Sequence, residues 1–187
     1  MTETSNLTDQ LLIAMPAMGD PNFAHTVTYM CQHSTDGALG IIVNRPIDMK
    51  LGDIMKQMEI EVIDEKIDNV PVYAGGPVQT ERGFILHNPV GQWDSSLPVS
   101  DDLALTTSRD ILAAIAKGEG PENVLIALGY AGWSAGQLES EIVANAWLNS
   151  PAQKSILFDL PSDQRWKAAA EEMGIDIDQL SYQVGHA

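Results

Sequence analysis

The sequence of 187 residues carries 26 acidic and 10 basic residues, which gives a formal net charge of −16, and 44% of its residues are hydrophobic. This charge argues against direct DNA or RNA binding, because nucleic-acid affinity normally depends on basic side chains that displace counterions from phosphates. The length fits one domain, and a chain of this size buries roughly 70% of its surface without needing disulfides.

The cysteine content and the N-terminal segment indicate a cytoplasmic protein. Cys31 is the single cysteine, so an intramolecular disulfide is excluded and a reducing compartment is expected. The N-terminus lacks a basic region, and the apolar run over 11–15 is too short for a signal sequence or a membrane span. We therefore expect one domain over 1–187, with residues 1–8 disordered and no membrane association.

The first half of the chain contains short β-type segments separated by turn residues. Alternating or apolar β-branched runs predict strands, and Thr35-Asp36-Gly37 joins two of them as a hairpin. Apolar residues at helical spacing predict a short helix over 51–58, followed by a charged loop over 59–70. The predicted strands cover residues 11–15, 25–33, 38–43, 70–73 and 83–87.

The second half alternates between strands and helices. The predicted strands cover 103–107, 124–128 and 155–158, and the predicted helices cover 109–117, 134–147 and 162–173. Ser108 can cap the first of these helices, and Gly174 ends the last. Because hairpin-spaced strands dominate the first half and strand–helix alternation the second, the pattern predicts an α+β domain.

The segment Gly132-Trp133-Ser134-Ala135-Gly136 matches the G-x-S-x-G pattern of a nucleophile elbow. Two observations argue against a catalytic Ser134: three residues separate the motif from the apolar run, and the only later histidine is the penultimate His186. A capping box formed by Ser134 and Gln137 is favoured instead. Gly129, Gly132 and Gly136 would also let an anion bind close to the backbone at the start of this helix, although their spacing matches no phosphate-binding motif.

The histidines invite metal-binding and acid–base hypotheses. His25, Cys31 and His33 share one face of the predicted strand, but the two histidines lie about 26 Å apart at 3.3 Å per residue, so one ion cannot reach both. No metal site is therefore expected. His87 ends an apolar strand, where it could be a general base; a ring held by a loop carbonyl is favoured.

Arg45 and the Gly75-Gly76-Pro77 segment lie where predicted strands end. Pro46 biases Arg45 towards an extended conformation, which fixes the direction of its guanidinium. Two roles are open for this guanidinium: an ion pair with an acidic side chain, or ligand binding. The glycines indicate a tight turn with positive φ rather than a phosphate cradle, since proline removes one N–H donor. The tryptophans at 133 and 147 flank the predicted helix, where core packing is favoured over cofactor stacking.

Segments in this order, over nearly the whole chain, resemble the YqgE/AlgH family of bacterial proteins. They are Leu11–Pro16, Asp20-Pro21, Gly37–Pro46, Gly75–Val78, Arg82–His87, Thr106–Asp110, Gly136–Glu139 and Asn145–Trp147. The resemblance implies a single α+β domain whose mixed, bifurcated and partly barrel-like sheet carries flanking helices. It implies no established reaction, cofactor or catalytic residues, and the family name reflects an association with transcriptional control of alginate synthesis.

The family motifs point to a cleft formed at strand ends and helix starts. The residues predicted to line it are Asn44, Arg45, Gly75, Gly76, Pro77, His87, Trp133 and Gln137. The preferred hypothesis is a non-enzymatic regulatory or ligand-binding module that acts indirectly on transcription through a small anion or a protein partner. The alternative is a small hydrolase or acid–base enzyme that uses His87 or Ser134.

Overall fold

A ten-stranded sheet organises residues 6–177, which are the residues that the computed structural model describes. The helices are α1 (Leu51–Gln57), α2 (Glu65–Asp68), α3 (Arg109–Ala116), α4 (Gln137–Val143) and α5 (Ser162–Glu172), with a π-helical turn over Ser155–Asp159. The strands are β1 (Gln10–Ala14), β2 (Val27–Ser34), β3 (Gly37–Ile42), β4 (Pro46–Lys50), β5 (Pro71–Ala74), β6 (Val78–Asn88), β7 (Ser96–Pro98), β8 (Ala104–Thr106), β9 (Asn123–Ser134) and β10 (Trp147–Pro151).

The sheet is bifurcated because β9 is shared by three neighbouring strands. The main path runs β10-β1-β2-β3-β9-β6-β8-β7, while β5 also pairs with β9, in parallel, and carries β4. The first part of β9 lies between β5 and β6, and its last four residues pair with β3. The mixed, partly barrel-like sheet of an α+β domain, which the resemblance implies, is confirmed.

The hairpin predicted in the first half of the chain is present as β2 and β3. Tyr29 lies opposite Ile41 in antiparallel register, and the strands meet at the pair Ser34 and Gly37. β1 then pairs with both β2 and β10. These strands bury Leu11, Ile13, Val27 and Tyr29 in the main hydrophobic core, which explains the strong β-type pattern of this part of the sequence.

The side chains of β6 alternate between two hydrophobic clusters. Phe84 and Leu86 face the main core, whereas Ile85 faces a second cluster that includes Leu51 of α1 and Ile111 of α3. The helices α1 and α3 therefore cover the same face of β6 and β9. This packing matters for function because it leaves a groove between the two helices and β6, described below.

The structure corrects several predicted elements. The segment 155–158 is a helical turn rather than a strand: Ile156 and Leu157 are both buried in the same core, whereas successive strand residues would face opposite sides. The helix predicted over 134–147 is shortened to α4, because Trp147–Pro151 pairs with β1 as β10. The strands β4 and β7 and the short helix α2 were not predicted.

The C-terminal helix α5 is attached to the sheet by a buried arginine. Arg165 is 4% exposed; its Nη1 donates to the Val43 carbonyl at 2.6 Å and its Nε donates to the Leu160 carbonyl at 2.9 Å. The guanidinium lies 5.3 Å from the centroid of the Tyr73 ring. Burial lowers the pKa of Arg165, with Tyr73 opposing the shift, and an arginine stays protonated under these conditions.

The N-terminal end of the described chain is packed rather than loose. Where the sequence indicates disorder up to residue 8, Leu7 is buried and its N–H donates to His33 Nδ1 at 2.9 Å. Residues 1–5 of that predicted segment lie outside the described residues. Across 6–177, the helices are all too short or too polar to cross a membrane.

Candidate functional site

Asn44 and Arg45, two of the predicted cleft residues, hold a neighbouring loop in place. Asn44 Oδ1 accepts from the Val27 N–H and its Nδ2 donates to the His25 carbonyl, both at 2.9 Å. Arg45 donates to the carbonyl of Asn22 at 2.6 Å and to that of Ala24 at 2.8 Å. Arg45 thus pairs with backbone carbonyls of the loop and, within 6–177, forms no ion pair with an acidic side chain, which was one of the two roles that the sequence left open.

Gly75, Gly76 and Pro77 form a close backbone contact with β9. The Gly75 N–H donates to the Leu128 carbonyl at 2.8 Å, and Gly76 has a φ of 156°. A Cβ on Gly75 would overlap the Gly129 carbonyl oxygen, and one on Gly76 would overlap the Tyr130 carbonyl group. The positive φ predicted for this segment is present at Gly76, but residues 75–77 form no tight turn; the glycines are required because the backbone closely approaches β9 there.

Trp133 and Gln137 converge on the carboxylate of Glu141. Trp133 Nε1 and Trp147 Nε1 donate to Glu141 Oε1 at 3.1 and 2.9 Å, and Gln137 Nε2 donates to Oε2 at 3.0 Å. The Trp133 ring also lies 5.9 Å from that of Phe23 and is 5% exposed. These contacts attach α4 and the loop that carries Phe23 to the sheet.

The G-x-S-x-G segment is not arranged as a nucleophile elbow. Ser134 is the last residue of β9, and α4 begins at Gln137 after Gly136, so Ser134 is not the N-cap that the sequence suggested. Gln137 Oε1 accepts from the Ser134 N–H at 3.0 Å and from its hydroxyl at 3.2 Å. Within 6–177 this hydroxyl has no histidine partner, and His186 lies outside the described residues.

His87 is buried in the sheet, with both ring nitrogens engaged. Nδ1 donates to the Pro89 carbonyl at 2.9 Å, and Nε2 lies 2.7 Å from the Thr106 hydroxyl. The ring is 0% exposed, so a substrate cannot reach it. Burial lowers the pKa of His87, opposed by the Pro89 carbonyl, and keeps the ring neutral. The interpretation in which a loop carbonyl holds this histidine is the one the structure shows.

The buried neutral state of His87 makes folding stability depend on pH. Because the folded-state pKa lies below the unfolded value of about 6.5, the unfolded chain alone gains a proton as the pH falls from 6.5 towards the folded pKa. The contribution of neutral His87 to the free energy of unfolding is therefore fully present well above pH 6.5, and it decreases as the pH falls through 6.5. We expect urea denaturation midpoints to fall more steeply between pH 7 and 5 in the native protein than in His87→Gln.

The control for this experiment is His25→Gln, since His25 is exposed. It should keep the pH dependence of the native protein. Equal slopes for the native protein and His87→Gln would contradict the argument, whatever the absolute stability of the variant.

His33 and Cys31 of β2 have separate surroundings in the fold. His33 uses Nδ1 for the Leu7 N–H, and its Nε2 lies 3.3 Å from Glu139 Oε1. Cys31 is buried in the main core, which raises the pKa of its thiol. In the described part of the chain, no three histidine, cysteine or acidic side chains come together in a geometry suited to a metal ion.

The eight predicted residues do not converge on one cleft. His87 lies opposite Val124 near the start of β9, and Trp133 is the register partner of Ala38 near its end. These positions on β9 are nine residues apart, about 30 Å at 3.3 Å per residue. Seven of the eight residues lie at two places. Asn44, Arg45 and Gly75–Pro77 are neighbours, because the Ala74 N–H donates to the Arg45 carbonyl at 2.8 Å, while Trp133 and Gln137 lie at the end of β9 and the start of α4. His87 lies apart from both.

A groove of about 470 Å³ lies between α1, α3 and β6. Its apolar wall continues the second hydrophobic cluster to the surface. The polar residues of its rim come from the end of α1, the exposed part of β6 and the start of α3. The lining residues are Met49, Ile54, Gln57, Met58, Thr80, Glu81, Arg82, Gly83, Ile85, Thr107, Ser108, Arg109, Leu112, Ile126 and Leu128.

Two arginines stand at the rim of this groove without an acidic partner. Arg82 Nη1 lies 3.3 Å from Gln79 Oε1 and its Nη2 lies 3.5 Å from the Thr107 hydroxyl, while Arg109 Nη2 donates to the Met58 carbonyl at 3.2 Å. Neither forms an ion pair within 6–177. With Glu81, the lining carries a formal charge of +1, on a chain whose net charge is −16.

The start of α3 fixes the orientation of this rim. The Ser108 hydroxyl donates to Asp110 Oδ1 at 2.5 Å, and the N–H groups of Ile111 and Asp94 donate to the same carboxylate. Desolvation raises the pKa of Asp110, but these hydrogen bonds outweigh it and lower the pKa, so the carboxylate is ionised. Ser108 occupies the N-cap position that the sequence predicts, but its side chain accepts no hydrogen bond from the helix N–H groups.

None of the eight residues predicted from the sequence lines the groove. Six of the groove residues, Arg82 and Arg109 among them, lie in the segments Arg82–His87 and Thr106–Asp110 that carry the family resemblance, but no binding role was predicted for them from the sequence. One signal was available: Arg82 and Arg109 are two of only four arginines in a strongly acidic chain. The sequence alone does not show that the fold brings Arg82 and Arg109 to the rim of the same groove.

Comparisons with known proteins agree on one family. The AlgH-like family model matches residues 11–178. A UPF0301 protein of Thioalkalivibrio sulfidiphilus (strain HL-EbGR7) is 57% identical over 187 residues, with 100% of both chains covered. The solution structure of the AlgH protein from Pseudomonas aeruginosa has a TM-score of 0.80 at 47% identity, covering 100% of both chains. A protein from Corynebacterium diphtheriae shares the fold alone, with a TM-score of 0.76 at 19% identity over 97% of this chain and 94% of that one. The chain belongs to the AlgH-like family.

Proposed function

We propose that this protein is a ligand-binding module, and that its ligand is a small molecule with an anionic group on an apolar body. The groove between α1, α3 and β6 is the proposed site. The observation that carries the proposal is the pairing of an apolar wall with Arg82 and Arg109, which have no acidic partner within 6–177 although acids outnumber bases in the chain. The volume of about 470 Å³ is in the usual range for small-molecule sites.

Each part of the groove supplies one element of recognition. Leu112, Ile85 and Met58 offer apolar surface, whose burial against a ligand is favourable. Within 6–177 the Arg82 guanidinium donates two long hydrogen bonds, which an anion would replace with shorter charge-assisted ones. Carboxylates and phosphates both match this donor geometry.

The proposed regulatory effect is indirect. A chain with a net charge of −16 repels the phosphate backbone of DNA, so any influence on transcription would pass through a protein partner that distinguishes the ligand-bound from the ligand-free form. The experiment below concerns ligand binding, on which this effect would depend.

We expect octanoate and octyl phosphate to bind and to raise the thermal unfolding midpoint by mass action, whereas 1-octanol, which has the same chain without the charge, binds at least tenfold more weakly. Replacing both Arg82 and Arg109 by glutamine should weaken binding of the anions at least tenfold. Isothermal titration calorimetry measures the dissociation constants, and a comparison of the two anions identifies the preferred head group.

Arg45→Gln is the matched control, because it removes an arginine of the cleft predicted from the sequence and leaves the groove intact. Its affinity for octanoate should equal that of the native protein. The proposal is wrong if octanoate and octyl phosphate do not bind, or if Arg45→Gln abolishes binding while the Arg82 and Arg109 variant retains it.

A further inference from the structure

A second cavity, of about 350 Å³, lies on the opposite face of β6 from the groove. Its apolar lining comes from five strands: Leu39 on β3, Phe84 on β6, Leu97 on β7, Leu105 on β8 and Tyr130 on β9. Phe84 and Ile85 are successive residues of one strand, so the cavity beside Phe84 and the groove beside Ile85 open on opposite faces.

Two residues, Arg82 and Thr107, line both the groove and the second cavity. On the side of β6 that faces β8, the backbone pairing of the two strands ends at Ile85 and Thr106, so on this side no hydrogen-bonded ladder separates the two spaces beyond that pair. β6 is also irregular there, because its register on β9 shifts between Val78 and Gly83. The boundary between the cavities is therefore formed by side chains.

The Arg82 side chain closes this boundary with weak contacts. Its distances of 3.3 Å to Gln79 Oε1 and 3.5 Å to Thr107 Oγ1 are at the long limit for hydrogen bonds. Its guanidinium carbon lies 5.5 Å from the centroid of the Phe84 ring, which belongs to the second cavity. A charged, weakly held group thus stands between two apolar spaces.

We propose that the ligand carries two apolar arms that diverge from one anionic group. The inference rests on the proposed function and adds the shape of the ligand: Arg82 binds the anion at the boundary, one arm occupies the groove and the other the second cavity. Arg82 exchanges its contacts with Gln79 and Thr107 for the anion. A carboxylate branched at its α-carbon is the simplest member of this class.

Three carboxylates test this inference by calorimetry. Octanoate has one hexyl arm beyond its α-carbon, 2-hexyloctanoate has two, and tetradecanoate is the straight-chain isomer of 2-hexyloctanoate. Each fully buried methylene tightens binding about fourfold. We therefore expect 2-hexyloctanoate to bind at least about a hundredfold more tightly than octanoate and at least about tenfold more tightly than tetradecanoate.

Two substitutions by tryptophan, each narrowing one of the two spaces, test the groove and the second cavity independently. Leu97→Trp narrows the second cavity and should remove the advantage of 2-hexyloctanoate while leaving octanoate binding within about twofold of native; Leu39→Trp is the alternative variant if Leu97→Trp unfolds. Met58→Trp narrows the groove and should weaken all three carboxylates. Unliganded thermal midpoints verify that each variant is folded.

The two proposals fail in different ways. If octanoate does not bind, the proposed function is wrong and the inference fails with it. If octanoate binds and depends on Arg82 and Arg109, but tetradecanoate binds as tightly as its branched isomer, or Leu97→Trp weakens octanoate as much as 2-hexyloctanoate, only the two-armed ligand is refuted.

Discussion

Gly76→Ala is expected to destabilise the protein by more than about 4 kcal/mol, which is a large part of the free energy of unfolding of a typical domain. The added Cβ would overlap the carbonyl group of Tyr130 and the amide nitrogen of Ala131, all backbone atoms of β9. A strand paired on both sides cannot move away without breaking its own ladder. Circular dichroism and urea denaturation of the purified variant measure the loss.

Gly136→Ala is the matched control for this substitution. Gly136 also has a positive φ, of 78°, but no heavy atom lies within 4 Å of its added Cβ. It should therefore cost only about 1 kcal/mol, the conformational penalty alone. If the two variants lose equal stability, backbone conformation and not the contact with β9 determines the requirement for glycine at position 76.

Truncation of Arg165 to alanine is expected to lower the free energy of unfolding by about 3 kcal/mol or more. The change removes two charge-assisted hydrogen bonds and leaves the Val43 carbonyl buried without this donor. It also removes the contact of the guanidinium with the Tyr73 ring, through which α5 packs on the sheet. Chemical denaturation at constant pH measures the difference.

Two further substitutions identify the source of this loss. Arg109→Ala removes an exposed arginine and should change stability by less than about 0.5 kcal/mol. Arg165→Lys keeps the charge but lacks the planar fork that reaches both carbonyls, so it should recover only part of the stability. Full recovery by lysine would show that charge alone, without the two-carbonyl geometry, holds α5.

Local sequence patterns predicted the parts of the fold that local chemistry determines. Alternation over 25–33 and the turn before Gly37 specified the β2–β3 hairpin. Both faces of β2 are buried from Val27 to Cys31, with Tyr29 in the main core and Met30 in another hydrophobic cluster, so a shift of one residue would exchange the two packed faces. The apolar spacing of Ile111, Leu112 and Ile115 likewise specified α3, where all three are buried.

Other elements depend on contacts between distant parts of the chain. Leu138 and Ala146 continue the apolar spacing expected of a longer helix, yet the chain leaves α4 at Val143 and pairs Trp147 with Ala14. The preference of this segment for a strand comes from the open edge of β1, more than 130 residues earlier, and no local pattern records it. The π-helical turn over Ser155–Asp159 similarly follows from packing both Ile156 and Leu157 into one core.

The candidate site was predicted less well than the fold. Arg45, Gly76, His87 and Trp133 were conspicuous in the sequence, and the structure gives each a strong structural contact. A family motif identifies positions that resist change, and close backbone packing is one reason for that resistance. The groove depends on Arg82 and Arg109 meeting across β6 and α3, which are adjacent only after folding.

The shared strand β9 has a consequence for synthesis of the chain. Residues 37–88, which contain β3, β5 and β6, leave the ribosome before residues 123–134, the strand with which all three pair. Until β9 emerges, each of these strands has an unpaired edge, the kind of surface on which nascent chains associate wrongly. The sheet can form only after β9 has been synthesised, because β3, β5 and β6 all pair with it. Until then, the nascent chain needs protection against association through these strand edges.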